Sequence, residues 1–219
     1  MLAVNIETEE NMGFLTDFFA QTRKPQGFLG KIMVTTMNPG HARLADWGMS
    51  HLPEFSPSKA ADLGCGGGRN AGELLKRYPE VHVTAVDYSE ISVAKAEKYN
   101  KKAIDEGRCT VMQGDVSDLR LPAGAFDLAT AFETAYFWPG IEKCFGQAAK
   151  ILKPGGYFLI CNESDGMDPE CLKYEKIIEG MKLYTAEQIE AALRKAGFSA
   201  VTSDHHPSKP WITVLARKR

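Results

Sequence analysis

Asp62-Leu63-Gly64-Cys65-Gly66-Gly67-Gly68 ends the short apolar run Ala60-Ala61-Asp62-Leu63 and leads into a helix-like stretch from about Asn70 to Arg77. A strand that runs through four glycines in five residues and then into a helix is a recognisable loop. Glycine tolerates positive φ and lets another molecule approach the backbone closely. The helix that follows offers free N–H groups and the positive end of its dipole, which favours an anionic or polar ligand group. In a doubly wound sheet, ligands bind beyond the carboxyl ends of the strands, where this loop would lie. A ligand-free tight turn would not need so many glycines, since each adds to the entropy lost on folding.

Downstream of the loop, strands and helices alternate. Val81 to Asp87 is β-branched and strand-like. Ser89 to Glu106 reads as a helix with Ser89 as N-cap and Gly107 past its end. Cys109 to Gln113 and Phe126 to Phe132 are further strands, and Ile141 to Leu152 a further helix. The turn Lys153-Pro154-Gly155-Gly156 feeds a strand from Tyr157 to Cys161. Thr185-Ala186-Glu187-Gln188 is a capping box, and Ile189, Ala192, Leu193 and Ala196 form the apolar stripe of a helix closed by Gly197. Ser199 to Ser203 and Trp211 to Ala216 read as two strands of a hairpin. This order implies βαβ units, right-handed crossovers and a doubly wound α/β sheet, mostly parallel, with helices on both faces.

Upstream of residue 59 the character is helical. Phe14, Leu15, Phe18 and Phe19 recur at helical spacing, a second segment runs from Phe28 to Met37, and a third short helix from about His41 to His51. Pro53 to Ser58 is a loop. The expected division is a helical N-terminal extension or lid over residues 1–58 and a ligand-binding core over residues 59–219.

The 219 residues are 44% hydrophobic and 25% charged, which suits a globular domain with a substantial core and excludes wholesale disorder. Lys and Arg number 26 against 28 Asp and Glu, a net charge of −2, so no global field draws the chain to nucleic acid. Arg217-Lys218-Arg219 is a local basic patch that reads as a solvated tail. The acidic N-terminus lacks the long apolar run of a signal peptide, and no stretch approaches the ~18 apolar residues of a membrane span. Five cysteines, an odd number with no CxxC spacing, point to a reducing cytoplasm.

Carboxylates at strand ends narrow the ligand. Asp62 comes two places before the first glycine, and Asp87 ends the second strand 87 − 64 = 23 residues after Gly64. A carboxylate there can accept hydrogen bonds from both ribose hydroxyls of an adenosine. Asp115 follows the third strand, where it can receive an adenine amino group. The loop spacing is G-x-G-x-G, with Arg69 after Gly68, rather than the G-x-G-x-x-G of NAD proteins.

Taken together, the chain resembles the class I S-adenosylmethionine (SAM)-dependent methyltransferases. The resemblance rests on Asp62-Leu63-Gly64-Cys65-Gly66-Gly67-Gly68, Ala85-Val86-Asp87-Tyr88-Ser89 and Gln113-Gly114-Asp115-Val116. Phe126-Asp127-Leu128 and Leu152-Lys153-Pro154-Gly155-Gly156 extend it, so that it covers roughly Ala60 to Phe198. It implies a seven-stranded sheet with an antiparallel last strand, which suits the C-terminal hairpin. It also implies that Asp62 and the glycines hold the methionine end of SAM, Asp87 the ribose, and Asp115 with the Val116 amide the adenine. The expected cofactor set is His41, Asp62, Gly64, Cys65, Gly66, Gly68, Asp87, Tyr88, Asp115, Val116 and Glu133, with S-adenosylhomocysteine as product.

The activated methyl group resides in the cofactor, so proximity and alignment carry such a transfer. The acceptor enters beside Phe132-Glu133-Thr134-Ala135-Tyr136-Phe137-Trp138-Pro139, whose aromatic residues can wall a site for an apolar or cationic small molecule. This segment lacks the Asn/Asp-Pro-Pro-aromatic motif of methyltransferases that modify nucleic-acid amino groups. His41, with Met37 and Trp47, is placed to face the cofactor or acceptor, and Tyr136 and His205 are candidate catalytic groups, His205 together with His206 as a base. No metal site is expected. The alternatives are an arsenite methyltransferase using the cysteines, a protein methyltransferase, or a non-enzymatic SAM- or NAD-binding module.

Overall fold

The computed structural model describes residues 42–219. The expected helices around Phe14–Phe19 and Phe28–Met37, and His41, lie outside the described residues. In chain order the elements are α1 (Ala42–Met49), β1 (Lys59–Leu63), α2 (Arg69–Arg77), β2 (His82–Asp87), α3 (Glu90–Tyr99), α4 (Lys101–Asp105) and β3 (Cys109–Gln113). They continue as β4 (Phe126–Phe132), α5 (Ile141–Ile151), β5 (Leu152–Asn162), α6 (Pro169–Leu172), α7 (Tyr174–Ile177), α8 (Ala186–Lys195), β6 (Phe198–His205) and β7 (Ile212–Lys218). Among the described residues, no helix is long and apolar enough to cross a membrane.

Seven strands form one sheet in the order β3-β2-β1-β4-β5-β7-β6. β1 to β5 are mutually parallel, and β7 runs antiparallel to both neighbours. The chain winds outward from β1 through β2 to β3, then returns to lay β4 on the other side of β1. This reversal puts the helices before β4 on one face and those after it on the other, and opens a crevice between β1 and β4 at their carboxyl ends.

Period-two alternation feeds both layers of the core. Along β5, Phe158 and Ile160 join Phe145, Ile189, Leu193 and Phe198 beneath α5 and α8. Leu159 and Cys161 face the other way, toward Leu44, Leu74 and Ala96 beneath α1, α2 and α3. Helix α1 lies tight on the sheet because Gly48 has no side chain there. A Cβ at Gly48 would come within 2.6 Å of Cys161 Sγ. Leu44 and Met49 are buried by that contact, which stabilises the fold by roughly 1.5–3 kcal/mol for each side chain.

The capping box at the start of α8 forms as expected: Gln188 N–H donates to Thr185 Oγ1, and Thr185 N–H donates to Gln188 Oε1 at 3.0 Å. Two expectations change. The single helix expected over Ser89–Glu106 is two, because Asn100 adopts a non-helical conformation (φ −101°, ψ 15°). Its side chain donates to Gly68 O and Ala96 O, so the break serves the glycine loop. The turn before Tyr157 belongs to β5 itself, which starts at Leu152 and carries a bulge between its pairings with Phe126 and Leu128.

Candidate active site

The loop after β1 is held by β2 and by Asn100 at the end of α3. Gly64 and Cys65 N–H both donate to Val86 O on β2, at 2.7 and 3.0 Å. Gly66 N–H donates to Asp87 Oδ2 at 2.9 Å, and Gly68 O accepts from Asn100. Gly64, Gly66 and Gly68 all have positive φ, between 51° and 80°, which explains why glycine alternates here. Their surroundings differ. A Cβ at Gly64 would collide with Thr134 Oγ1 at 2.1 Å, and one at Gly68 with the α3 backbone at Ala96, 2.7 Å away. Among the described residues a Cβ at Gly66 would meet nothing within 4 Å, so this residue borders the crevice.

Two carboxylates flank the loop. Asp62 is buried on β1, where its Oδ1 accepts from Thr130 Oγ1 at 2.8 Å, while its Oδ2 has no hydrogen-bond partner among the described residues. Burial pushes its pKa up to about 7, against the lowering pull of the Thr130 hydroxyl, and the nearby Asp87 charge adds to the rise. An unpaired buried carboxylate oxygen is costly, and the cost falls if a ligand supplies a cationic donor. Asp87 is also buried, and its Oδ1 accepts from Ser89 N–H at 2.9 Å. Burial raises its pKa too, partly offset by the Ser89 and Gly66 amides.

On the β3 side, Gly114 N–H donates to Asp87 O, which draws Gly114-Asp115 next to the end of β2. Asp115 Oδ1 accepts from Ser117 N–H at 2.7 Å and caps a short 3-10 turn over Val116–Asp118. Val116 is buried in the core. A cavity of about 230 Å³ opens beside this turn, lined by Val86, Met112, Gly114 and Asp115 among others. Tyr88 is partly exposed beyond β2, and its carbonyl accepts from Gln113 Nε2. The expected residues Asp62, Gly64, Cys65, Gly66, Gly68, Asp87, Tyr88, Asp115 and Val116 thus lie at or just beyond the carboxyl ends of β1, β2 and β3, which are neighbours in the sheet.

The opposite wall comes from the segment after β4. Glu133 has φ 57°, alone among the described non-glycine residues in having a positive φ. Its N–H donates to Cys161 O, its Oε1 accepts from the Glu163 N–H, and its Oε2 accepts from Tyr136 OH at 3.1 Å. Burial pushes Glu133 up to about 8, with the Glu163 charge adding to the rise, and it pushes the Tyr136 phenol well above its ordinary value. A buried acid in a strained conformation, bonded to a phenol, is typical of functional sites. Thr134, expected only as part of the acceptor segment, and Asn100, expected only as helix interior, shape the loop by contact and by hydrogen bond. No local motif marks either, because each meets the loop only through folding.

His205 is not brought to this crevice. It ends β6, the outermost strand, four strand positions from β1, or roughly 19 Å at ordinary strand spacing. His206 packs against Trp47 and Trp211 near the same edge, away from the loop. Trp47 therefore faces the hairpin rather than the glycines. Cys65, Cys109, Cys144 and Cys161 are buried thiols whose pKa values burial raises. Among the described residues no group of three His, Cys, Asp or Glu side chains is placed to hold a metal ion.

Known proteins match this architecture. Residues 60–156 match the family model of the methyltransferase domain. The chain is 32% identical over 160 residues to sterol methyltransferase-like 2 of Botryococcus braunii, covering 68% of this chain and 41% of that protein. It is 26% identical over 191 residues to 27-O-demethylrifamycin SV methyltransferase of Amycolatopsis mediterranei, covering 83% of this chain and 70% of that one. It spans less than half the length of its sterol methyltransferase relatives. Geranyl diphosphate C-methyltransferase of Streptomyces coelicolor, solved with S-adenosylhomocysteine, shares the fold with a TM-score of 0.71 at 13% identity, over 81% of this chain and 76% of that one. On its fold, its crevice at the β1/β4 switch point and these relatives, the chain belongs to the class I SAM-dependent methyltransferases.

Proposed function

We propose that the protein transfers the methyl group of SAM to a small-molecule acceptor, mainly by holding the two reactants in line. The observation that carries this reading is the crevice itself: Gly66 open to it, Asp62 with an unpaired buried oxygen, and Asp87 tying loop to β2. When bound, SAM supplies a methyl group already activated on a sulfonium, whose transfer is an in-line displacement. Asp62 and the glycine loop take its amino-acid half, the unpaired Oδ2 receiving the ammonium. Asp87 takes the ribose hydroxyls, and Asp115 with the Val116 amide takes the adenine in the neighbouring cavity. Tyr88 flanks the nucleoside.

The acceptor lies against Glu133 and Tyr136, and the crevice walls exclude water from the transfer. The names of the relatives, a sterol methyltransferase and a rifamycin methyltransferase, favour a small organic acceptor over a macromolecule. Free thiols at all five cysteines suit a reducing compartment such as the cytosol. Truncation of residues 1–41 is expected to impair turnover while leaving SAM binding measurable; normal turnover would remove that segment from the scheme.

The test is calorimetry with SAM and with NADH, followed by transfer of a radiolabelled methyl group into metabolite, protein and RNA extracts. SAM binding and label in the metabolite fraction are expected. NADH binding alone, or label only in protein or RNA, would overturn the reading.

A further inference from the structure

The hydrogen bonds described above reach the glycine loop from β2 and from Asn100 at the end of α3, on the cofactor side of the crevice. One ion pair reaches it from elsewhere. Arg69, the residue after Gly68 and the first of α2, extends to α1, where its Nη2 meets Asp46 Oδ1 at 2.5 Å. Its Nη1 donates to Asn70 Oδ1 at 3.1 Å. The Arg69 side chain is 14% exposed and that of Asp46 58%, so the cation is largely shielded while its partner stays accessible.

Helix α1 is in turn fastened to the acceptor side. Leu44 O faces Cys161 Sγ at 3.6 Å, and Gly48 sits against Cys161 and the Phe132 ring, at the ends of β5 and β4. Trp47 packs edge-on against His206 and lies beside Trp211, while His51 Nε2 meets Asp204 Oδ2 at 2.9 Å and its Nδ1 meets Trp47 O. Trp47 and His51 thereby tie α1 to the C-terminal hairpin.

We infer that α1 is a strut between the two sides of the crevice, and that Asp46 and Arg69 are positioning residues that set the glycine loop against the acceptor side. The inference rests on the cofactor reading above. Arg69 adjoins the last left-handed glycine, so a change in its anchorage moves the end of the loop assigned to the amino-acid half of SAM. The nucleoside half is assigned to Asp87, at the end of β2, and to Asp115, just after β3, and neither carboxylate is hydrogen-bonded to a described residue of α1.

Calorimetry with two ligands tests this division. SAM spans both halves, whereas 5′-methylthioadenosine lacks the amino-acid half. Asp46→Ala is expected to raise the Kd for SAM by about three- to tenfold, the range of one partly shielded ion pair, and to leave the Kd for 5′-methylthioadenosine unchanged. Asp46→Glu, which keeps the charge, should recover most of the SAM affinity. The difference between wild type and Asp46→Ala should shrink in high salt. Equal losses for both ligands, no loss for SAM, or no recovery with Asp46→Glu would overturn the inference while leaving the cofactor reading intact. A wild-type chain that binds neither ligand would overturn both.

Discussion

The cofactor side of the crevice is shaped by backbone, whereas the acceptor side is shaped by side chains that meet only after folding. After β1, three left-handed glycines and amides bonded to Val86 and Asp87 set the path of the chain within a segment of seven residues. After β4, a single strained residue, Glu133, is held by a phenol three residues on and an amide thirty residues on. A loop built from backbone can serve one cofactor across many proteins. A wall built from side chains can change with few substitutions, which suits the side that selects the acceptor.

Substitutions in the glycine loop should separate stability from binding most sharply. Gly64→Val combines positive φ with a clash against Thr134 and should cost roughly 3–5 kcal/mol in urea denaturation. Thr134→Ala in the same chain should recover part of that loss. Gly66→Ala has free space around it and should cost only about 1–2 kcal/mol, yet SAM affinity should largely vanish because the added methyl projects into the crevice. Retained SAM binding in Gly66→Ala would place the cofactor elsewhere.

Asp87→Ala removes the carboxylate assigned to the two ribose hydroxyls and should weaken SAM binding by about 100-fold or more in calorimetric titration, at about 1.5 kcal/mol per bond lost to the ligand. An unchanged titration curve would refute its role.

The acceptor side should show itself through pH. Glu133 has a folded pKa of about 8, above its ordinary 4.5, so the fold favours the protonated form. The stability contributed by that proton is fully present below about pH 4.5 and is lost as pH rises through about 8. Asp62 acts in the same direction between its ordinary 3.8 and about 7. Thermal melts should therefore show stability falling from pH 4.5 to pH 8. Glu133→Gln, which resembles the protonated acid, should flatten the slope and melt about 2–4 °C above wild type at pH 9. A slope unaffected by Glu133→Gln would show that the acid ionises freely in the fold.

The smallest effect belongs to the hairpin. His205→Ala should leave methyl transfer within about twofold of wild type, since this exposed residue sits at the far edge of the sheet and contributes at most a weak surface interaction. A large loss of activity would bring the hairpin into the site.

Much of the cofactor side is legible in the chain. Left-handed glycines leave a local signature, strand ends carry their carboxylates in order, and the alternation of strands and helices sets the sheet. Glu133 and Tyr136 are visible as residue types at a strand end, but neither the hydrogen bond joining them nor the strain at Glu133 has a local signal. A histidine near the C-terminus is equally compatible with an edge or a cleft, and only the strand order places His205 at the end of the outermost strand. Asn100 looks like the interior of one long helix, since its preference for the loop carbonyl depends on Gly68, 32 residues away.

The amino-acid sequence by itself determined the parallel α/β core, the course of the loop after Leu63 and the three acidic strand ends, because these follow from short-range backbone preferences and hydrophobic period. Only the tertiary structure decided that Asp62 keeps an unpaired buried oxygen, that Thr134 closes on Gly64, and that α1 joins the hairpin to Arg69. Those outcomes depend on packing and desolvation between segments far apart in the chain, and no local pattern encodes that.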